Sequence, residues 1–459
     1  MPYGARRSWI WVAVALAAGA TLRLWFIHAY PEVQGDPLIY GDIAKNWMLH
    51  GIYGLTSDGV IHPTLIRLPG YPLFLILCFR LFGLEHYHAV MFAQTAIDLG
   101  TCLLVAAFVR RLWSKRAGWW GLWLAALCPF TANFAAVPLT ETLELFCTAL
   151  AFYALARFLS ASTRTSRWPW ALAMACSWSY ATLLRPDGAL LPIALCPAIV
   201  FYGRTRWGTA PMLRWALGCG LASCLPFIPW TVRNARTFDV FQPLAPRYAV
   251  DPGEDTDPGF NRWTKTMCVD LACTWEVYWS GNTDAIELKD LPAGAFDSPQ
   301  QYEQTKHLLA EYNRTTTITP RIDAAFGALA AERIRDHPFR YYVELPLARL
   351  ADMAFRPRTE LLWIELRWWQ YSRHHAETEF AAVYAALNLA YFIAAVVGYL
   401  KRPPLRGAIL AFILLRCALL ATLEAPEPRY TLEFFPPVIA LAAVACGGAA
   451  RIKSQTEPS

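Results

Sequence analysis

Ten stretches of this chain are apolar over a length that suits, or nearly suits, a helix crossing a bilayer. No other feature limits the fold as strongly. A hydrocarbon core of about 30 Å needs about 20 apolar residues in a helix. The stretches run over 9–28, 89–109, 118–137, 138–159, 170–184, 188–203, 213–232, 380–400, 407–423 and 431–449. The first follows Arg6 and Arg7 as a signal peptide would, but it continues through Arg23 to Phe26 and reads as a retained helix. Composition agrees, at 56% hydrophobic and 17% charged, against about 25% charged in soluble domains. Twenty Trp and twenty Tyr suit the two bilayer interfaces. The expected fold is an all-α polytopic bundle of about ten transmembrane helices.

Basic residues give the orientation, because Lys and Arg are retained on the cytoplasmic side. Segments 1–8, 110–116, 157–169, 203–214, 401–406 and 450–459 hold 17 Lys and Arg and one acid, Glu457. They fall on one side if those ten helices span, which makes both termini cytoplasmic. Residues 70–84 (GYPLFLILCFRLFGL) must then not span, since a further crossing would move RRLWSKR outside. They read as a juxtamembrane helix in the outer interface. The net charge of +6 sits mostly in short loops between apolar runs, so nucleic acid is not an expected partner.

The expected organisation is a transmembrane core over 1–232, which includes an external loop over 29–88. An external region follows over 233–378, and 379–459 holds C-terminal helices and a short cytoplasmic tail. Within the external region a turn-rich part precedes two helical parts. The second of these, PFRYYVELPLARLADMAF, carries Glu344, Arg349 and Asp352 and is expected along the membrane surface. Most of the twelve cysteines lie in apolar runs, whereas Cys268 and Cys273 share a polar segment. In an oxidising compartment that pair allows a disulfide.

The candidate chemistry gathers on the outer side. Asp36 opens GDPLIYGDIAKNWMLHG; it precedes Pro37 and so is expected extended, either as a helix N-cap or as a general base at a helix N-terminus. Asp42, on another face of that helix, is a weaker candidate for a catalytic acid. Arg67, in RLPGYP, can anchor at headgroups or grip a phosphate. Arg185, Arg233 and Arg429 also fall at outer ends, against the positive-inside tendency. Each either pairs with a local acid, such as Asp187 or Glu427, or shares an anionic ligand. Tyr40, Tyr71 and Tyr430 stand beside these positions as candidate contacts to the same ligand. Glu141 and Glu144 lie three apart at the outer end of a span, where carboxylates are costly and usually functional. Glu141, nearer the mouth, is the better candidate for a second catalytic acid. Asp98 lies mid-span, and a polar contact between helices explains it at least as well as catalysis. His50, His62, His86 and His88 show no metal-ligand spacing.

These pieces resemble, in order, the GT-C superfamily of polytopic glycosyltransferases. The nearest branch is that of the protein O-mannosyltransferases, the lipid A aminoarabinose transferase and the Rgt-type galacturonosyltransferases. The resemblance is carried by GDPLIYGDIA, RLPGYPLF with LFG behind it, VRRLW, PLTE, LRPDG, PWTVRN and PRYTLEFFP. It covers most of 20–240 and again 425–440. It implies a GT-C core with external juxtamembrane helices that moves a sugar from a polyprenyl phosphate to a glycan, lipid or protein acceptor. The chemistry would take place outside the cytoplasmic membrane. By the same resemblance Asp36 is the base or acceptor orienter, Glu141 the later acid, and Arg67 and Arg233 the basic positions. Ile66 stands where metal-binding relatives carry an acid, so no cofactor is called for, and a divalent metal stays an open alternative. A secondary transporter and a non-catalytic envelope assembly factor are the competing readings.

Overall fold

The computed structural model describes residues 3–370 and 374–448. Side chains of the N-terminal segment 1–8, and the whole tail 450–459, lie outside the described residues. Two compact units divide the chain. The first holds 1–253, 390–415 and 432–459, and the second 254–389 and 416–431. The first break therefore falls at Gly253 rather than at 232, because α11 runs on to Phe238 and Leu65 N–H donates to Asp251 Oδ1 at 2.8 Å.

The first unit opens with α1 (Tyr3–Ala29) and α2 (Asp36–His50). A hairpin of β1 (Gly54–Ser57) and β2 (Val60–Pro63) follows, paired antiparallel with Ser57 opposite Val60. Its two-residue turn, Asp58-Gly59, has positive φ at both positions, as a hairpin of this length demands. Next come α3 (Gly70–Phe82), α4 (Tyr87–Leu112), α5 (Lys115–Ala126), α6 (Pro129–Asn133), α7 (Glu141–Ser160), α8 (Arg164–Leu184), α9 (Leu190–Trp207), α10 (Thr209–Cys224) and α11 (Phe227–Phe238).

Among the described residues seven helical segments are long and apolar enough to cross a membrane: Trp9–Ala29, Tyr87–Leu112, Glu141–Ser160, Pro186–Trp207, Thr209–Phe238, His375–Leu400 and Pro428–Cys446. The other three expected spans are helical but fall short in length or apolarity. The stretch 118–137 breaks at Pro129, which holds Cys128 extended and ends α5 after 12 residues. At 13 residues, α3 is about 20 Å long and too short to span.

Packing in this unit is tied by a buried ion pair. Arg23 on α1 meets Asp98 on α4 at 2.6 Å, both fully buried, and donates to Ala126 O, the last residue of α5, at 2.7 Å. Asp98 is therefore a helix-to-helix contact. At one end of the unit Arg111 meets Ser160 at 2.9 Å, Trp113 donates to Gly448 O at 2.9 Å, and Lys401 donates to Ala445 O at 2.6 Å. The described basic segments thus gather at the same end of the helices. Glu141, which starts α7, and Arg185, which follows α8, lie at the other.

The second unit is a small helical body with its own core. It contains α12 (Pro258–Lys265), α13 (Leu271–Cys273), α14 (Pro299–Tyr312), α15 (Pro320–Asp336) and α16 (Leu345–Phe355). Phe260, Trp263 and Phe326 pack at 4.6–5.9 Å between ring centroids at the centre of that core. Cys268 and Cys273 form a disulfide at its edge. Arg349 of α16 is fully buried and donates to Cys268 O at 2.7 Å and to Lys265 O. It thereby holds carbonyls left open at the end of α12, where a cation is favoured. The chain then continues through α17 (His375–Leu400), α18 (Arg406–Leu420) and α19 (Phe435–Cys446).

Removing one partner of a buried pair strands a charge, at about 3–5 kcal/mol, whereas an apolar replacement of both is often tolerated. Asp98→Ala should therefore lower the thermal midpoint of the detergent-solubilised protein strongly. The double change Arg23→Met with Asp98→Leu should recover most of it. An unaltered midpoint in Asp98→Ala would contradict this role.

Candidate active site

The site forms where α2 begins. Gly35, at φ +63, is the N-cap, so Asp36 is the first helical residue rather than the cap, and its backbone is not extended as Pro37 alone suggested. Its carboxylate lies in the first turn, where the helix dipole favours negative charge. Arg67 reaches it from the loop before α3, with Nη2 donating to Asp36 Oδ1 at 2.6 Å, both side chains partly exposed. The guanidinium also lies 5.7 Å from the centre of the Tyr40 ring, one turn along α2.

Tyr40 marks the middle of the cluster. Burial pushes its phenol up to about 12; Asp36 and Glu141 add to the rise, while Arg67 and Arg185 oppose it. All four charged groups therefore act on one buried hydroxyl. Glu141, 2% exposed, lies 3.5 Å from Arg185, which also approaches Glu144 at 3.7 Å and Asp187 at 3.4 Å. Glu433, buried at the start of the last apolar segment, adds a further charge that acts on Glu144 and Arg185.

A second set of residues holds this cluster in place. Arg233 donates to Thr64 O at 2.7 Å, Tyr53 O at 2.7 Å and Asn234 Oδ1 at 2.9 Å. Its guanidinium also lies 5.2–5.4 Å from the rings of Tyr53, Trp230 and Phe238. Tyr53 in turn donates its hydroxyl to Arg67 O at 2.9 Å. Ile43, Tyr53, Leu65, Leu68 and Trp230 form a small core beneath that loop. Asp42 accepts from Thr56 N at 2.6 Å and Thr56 Oγ1 at 3.1 Å, so it fastens the hairpin to α2. Gly70 packs its backbone against the end of α8, and a Cβ there would lie 2.6 Å from Leu183 O. That contact brings the loop bearing Arg67 beside Arg185.

The sequence candidates thus separate by position. Asp36, Tyr40, Arg67, Glu141 and Arg185 come together. Arg233 and Asp42 are joined to the hairpin and its flanks. Tyr71 is fully buried, with its hydroxyl donated to Gln94 at 2.7 Å and its ring edge-on to Tyr40 at 5.1 Å, so it supports Tyr40. Arg429 and Tyr430 lie in the second unit, where both meet Glu427, Arg429 at 2.6 Å. Glu433 was missed, although an acid within an apolar run is the same signal that singled out Glu141. Among the described residues no group of three or more His, Cys, Asp or Glu is placed to hold a metal ion.

The family profile of dolichyl-phosphate-mannose-protein mannosyltransferases matches residues 62–230, a span that contains Arg67, Glu141 and Arg185. No curated protein sequence matches the chain. Apo ArnT from Cupriavidus metallidurans is 17% identical, with 97% of this chain and 78% of that one covered at a TM-score of 0.41. The oligosaccharyltransferase AglB from Archaeoglobus fulgidus, in complex with an inhibitory peptide and a dolichol-phosphate, is 11% identical at a TM-score of 0.50. The match covers 95% of this chain and 50% of AglB. An Archaeoglobus fulgidus oligosaccharyltransferase tethered with an acceptor peptide gives 12% identity, 95% and 49% coverage, and a TM-score of 0.51. This chain therefore spans about half the length of AglB.

Arg233→Ala removes charged hydrogen bonds worth about 2 kcal/mol or more in total, roughly a thirtyfold change in local opening. Amide hydrogen exchange over 53–68 should accelerate by about that factor while the apolar helices stay protected. Unchanged exchange there would show that Arg233 does not hold the loop. The apolar helices and the likeness to AglB agree: this chain is a multi-pass membrane protein that shares its fold with that oligosaccharyltransferase, and over residues 62–230 it is similar to the dolichyl-phosphate-mannose-protein mannosyltransferases.

Proposed function

We propose that the chain is a glycosyltransferase that takes a sugar from a polyprenyl phosphate and passes it to an acceptor hydroxyl. Glycan, lipid and protein acceptors all fit that chemistry. The reaction takes place on the outer side of the plasma membrane, at Asp36. The observation that carries this reading is the 2.6 Å contact of the Asp36 carboxylate with Arg67 at the start of α2, beside Glu141 and Arg185. The family profile over 62–230 supports it, as does the dolichol-phosphate held by AglB. The Cys268–Cys273 disulfide supports an external second unit, since disulfides persist in oxidising compartments.

The residues divide the work as follows. A carboxylate paired with a guanidinium is a weak base, because the pair favours its charged, unprotonated form. An arriving lipid phosphate competes for Arg67 and releases Asp36 to accept a hydrogen bond from the acceptor hydroxyl. The hydroxyl oxygen attacks the anomeric carbon, and the bond from that carbon to the phosphate oxygen breaks. The polyprenyl phosphate leaves with the electron pair, and the hydroxyl proton passes to Asp36. Arg67 then stabilises the charge that develops on the leaving phosphate. Arg185, held by Glu141, Glu144 and Asp187, supplies a second cation fixed in position. The transporter reading draws no support from Asp98, whose carboxylate is closed by Arg23.

General-base positions contribute about 10²- to 10⁴-fold. Asp36→Asn should lower transfer from a lipid-linked donor by that order while the protein inserts and unfolds like the wild type. Arg67→Ala should weaken donor binding as well. Wild-type transfer by a well-inserted Asp36→Asn variant would overturn the assignment. Deletion of the protein should cause a lipid-linked sugar to accumulate and one envelope glycan to lose a residue, as read by mass spectrometry. An assembly factor would instead tolerate Asp36→Asn.

A further inference from the structure

The basic end of the first unit holds arginines gathered around shared aromatic rings, and among the described residues no acid pairs with them. Arg167, in the first turn of α8, is 4% exposed, and its guanidinium stacks 3.4 Å from the centre of the Trp207 ring. Arg206 lies over the same indole at 4.7 Å and repels Arg167. The Nε and Nη2 atoms of Arg167 and the Nε1 of Trp207 are all buried and find no acceptor among the described residues. A second pair adjoins the first. Arg111 and Arg157 repel each other where α4 and α7 end, with Arg157 stacked 4.3 Å from the Trp170 ring of α8. Phe158, next to Arg157, lies 5.9 Å from the Arg167 guanidinium.

Retention of positive charge on one side of a membrane explains the presence of arginines in these segments. It does not explain a buried guanidinium with unused donors held beside another cation. Buried donors are nearly always satisfied, and like charges that repel one another favour a counter-ion. The acceptor that is missing is an anion with several oxygens, matched to the fork of a guanidinium. These donors sit at the ends of apolar helices and among Trp rings, where headgroups lie, so the anion comes from the bilayer. We propose that Arg167, Arg206 and the Trp207 indole N–H bind the phosphodiester of an anionic phospholipid, with Arg111 and Arg157 extending the site to a second headgroup. Arg206, whose side chain is exposed, covers the buried donors and swings to admit the headgroup.

The test uses the full chain purified in detergent, stripped of lipid, and given back phosphatidylglycerol, phosphatidylcholine or inorganic phosphate. Native mass spectrometry should show retained phosphatidylglycerol adducts and little phosphatidylcholine, with a rise in thermal midpoint for the former. Arg206→Gln, which alters an exposed side chain, should lower retention several-fold, and Arg167→Gln with Arg206→Gln by about tenfold or more. Arg214→Gln, at an exposed arginine on α10, should leave retention unchanged. Equal retention of phosphatidylglycerol by Arg206→Gln, or equal retention of phosphatidylcholine by the wild type, would overturn the proposal. So would inorganic phosphate at millimolar concentration raising the midpoint as much as the lipid does.

Discussion

The contact between Asp36 and Arg67 is the interaction around which the first unit is organised at its acidic end. A guanidinium 2.6 Å from a partly exposed carboxylate is not by itself strongly stabilising. What matters is how many other groups fix its two ends. Gly35 sets the start of α2 and so places Asp36 in the first turn. Arg233, through Tyr53, holds the carbonyl of Arg67, and Asp42 fastens the intervening hairpin to α2. The close approach of Gly70 to α8 then sets the pair beside Arg185 and Glu141. Each link is an ordinary hydrogen bond or contact, and together they leave the pair little freedom to move apart without a competing ligand.

The bilayer explains why charge is handled so differently along the chain. At depth a charge must be neutralised in place, and Arg23 with Asp98 shows this, closed by carbonyls of α5 and contributing packing rather than chemistry. At the acidic end the charges are more numerous and less evenly matched, with Glu141, Glu144, Glu433 and Asp187 acting on Arg185. At the basic end Arg167 and Arg206 carry an excess of the opposite sign. The two ends therefore present sites of opposite demand.

Much of the fold was legible because hydrophobic length is a local property. The long apolar helices, the short α3 and the gathering of basic segments all follow from residue order and charge. Asp36, Arg67, Glu141 and Arg185 were legible from their types and places, and the structure brings them together. The partners of those residues were not legible. Nothing near Asp98 in sequence points to Arg23, 75 residues earlier, and nothing near Arg233 points to the carbonyls of Tyr53 and Thr64. Arg233 looked like an outer cation in want of an anion, yet main-chain carbonyls take up much of its guanidinium. Asp42 looked like a weaker catalytic candidate, and its carboxylate fastens the hairpin through Thr56. Such assignments depend on long-range pairing, which spacing along the chain does not encode. The resemblance supplied roles for positions, not their contacts.

A structure of the full chain with a polyprenyl phosphate bound would test the central claim most directly. The account predicts a phosphate oxygen within hydrogen-bond distance of the Arg67 guanidinium, with the Asp36 carboxylate released from it and turned toward the acceptor side. A lipid phosphate bound elsewhere, with the contact between Asp36 and Arg67 still closed at 2.6 Å, would contradict it.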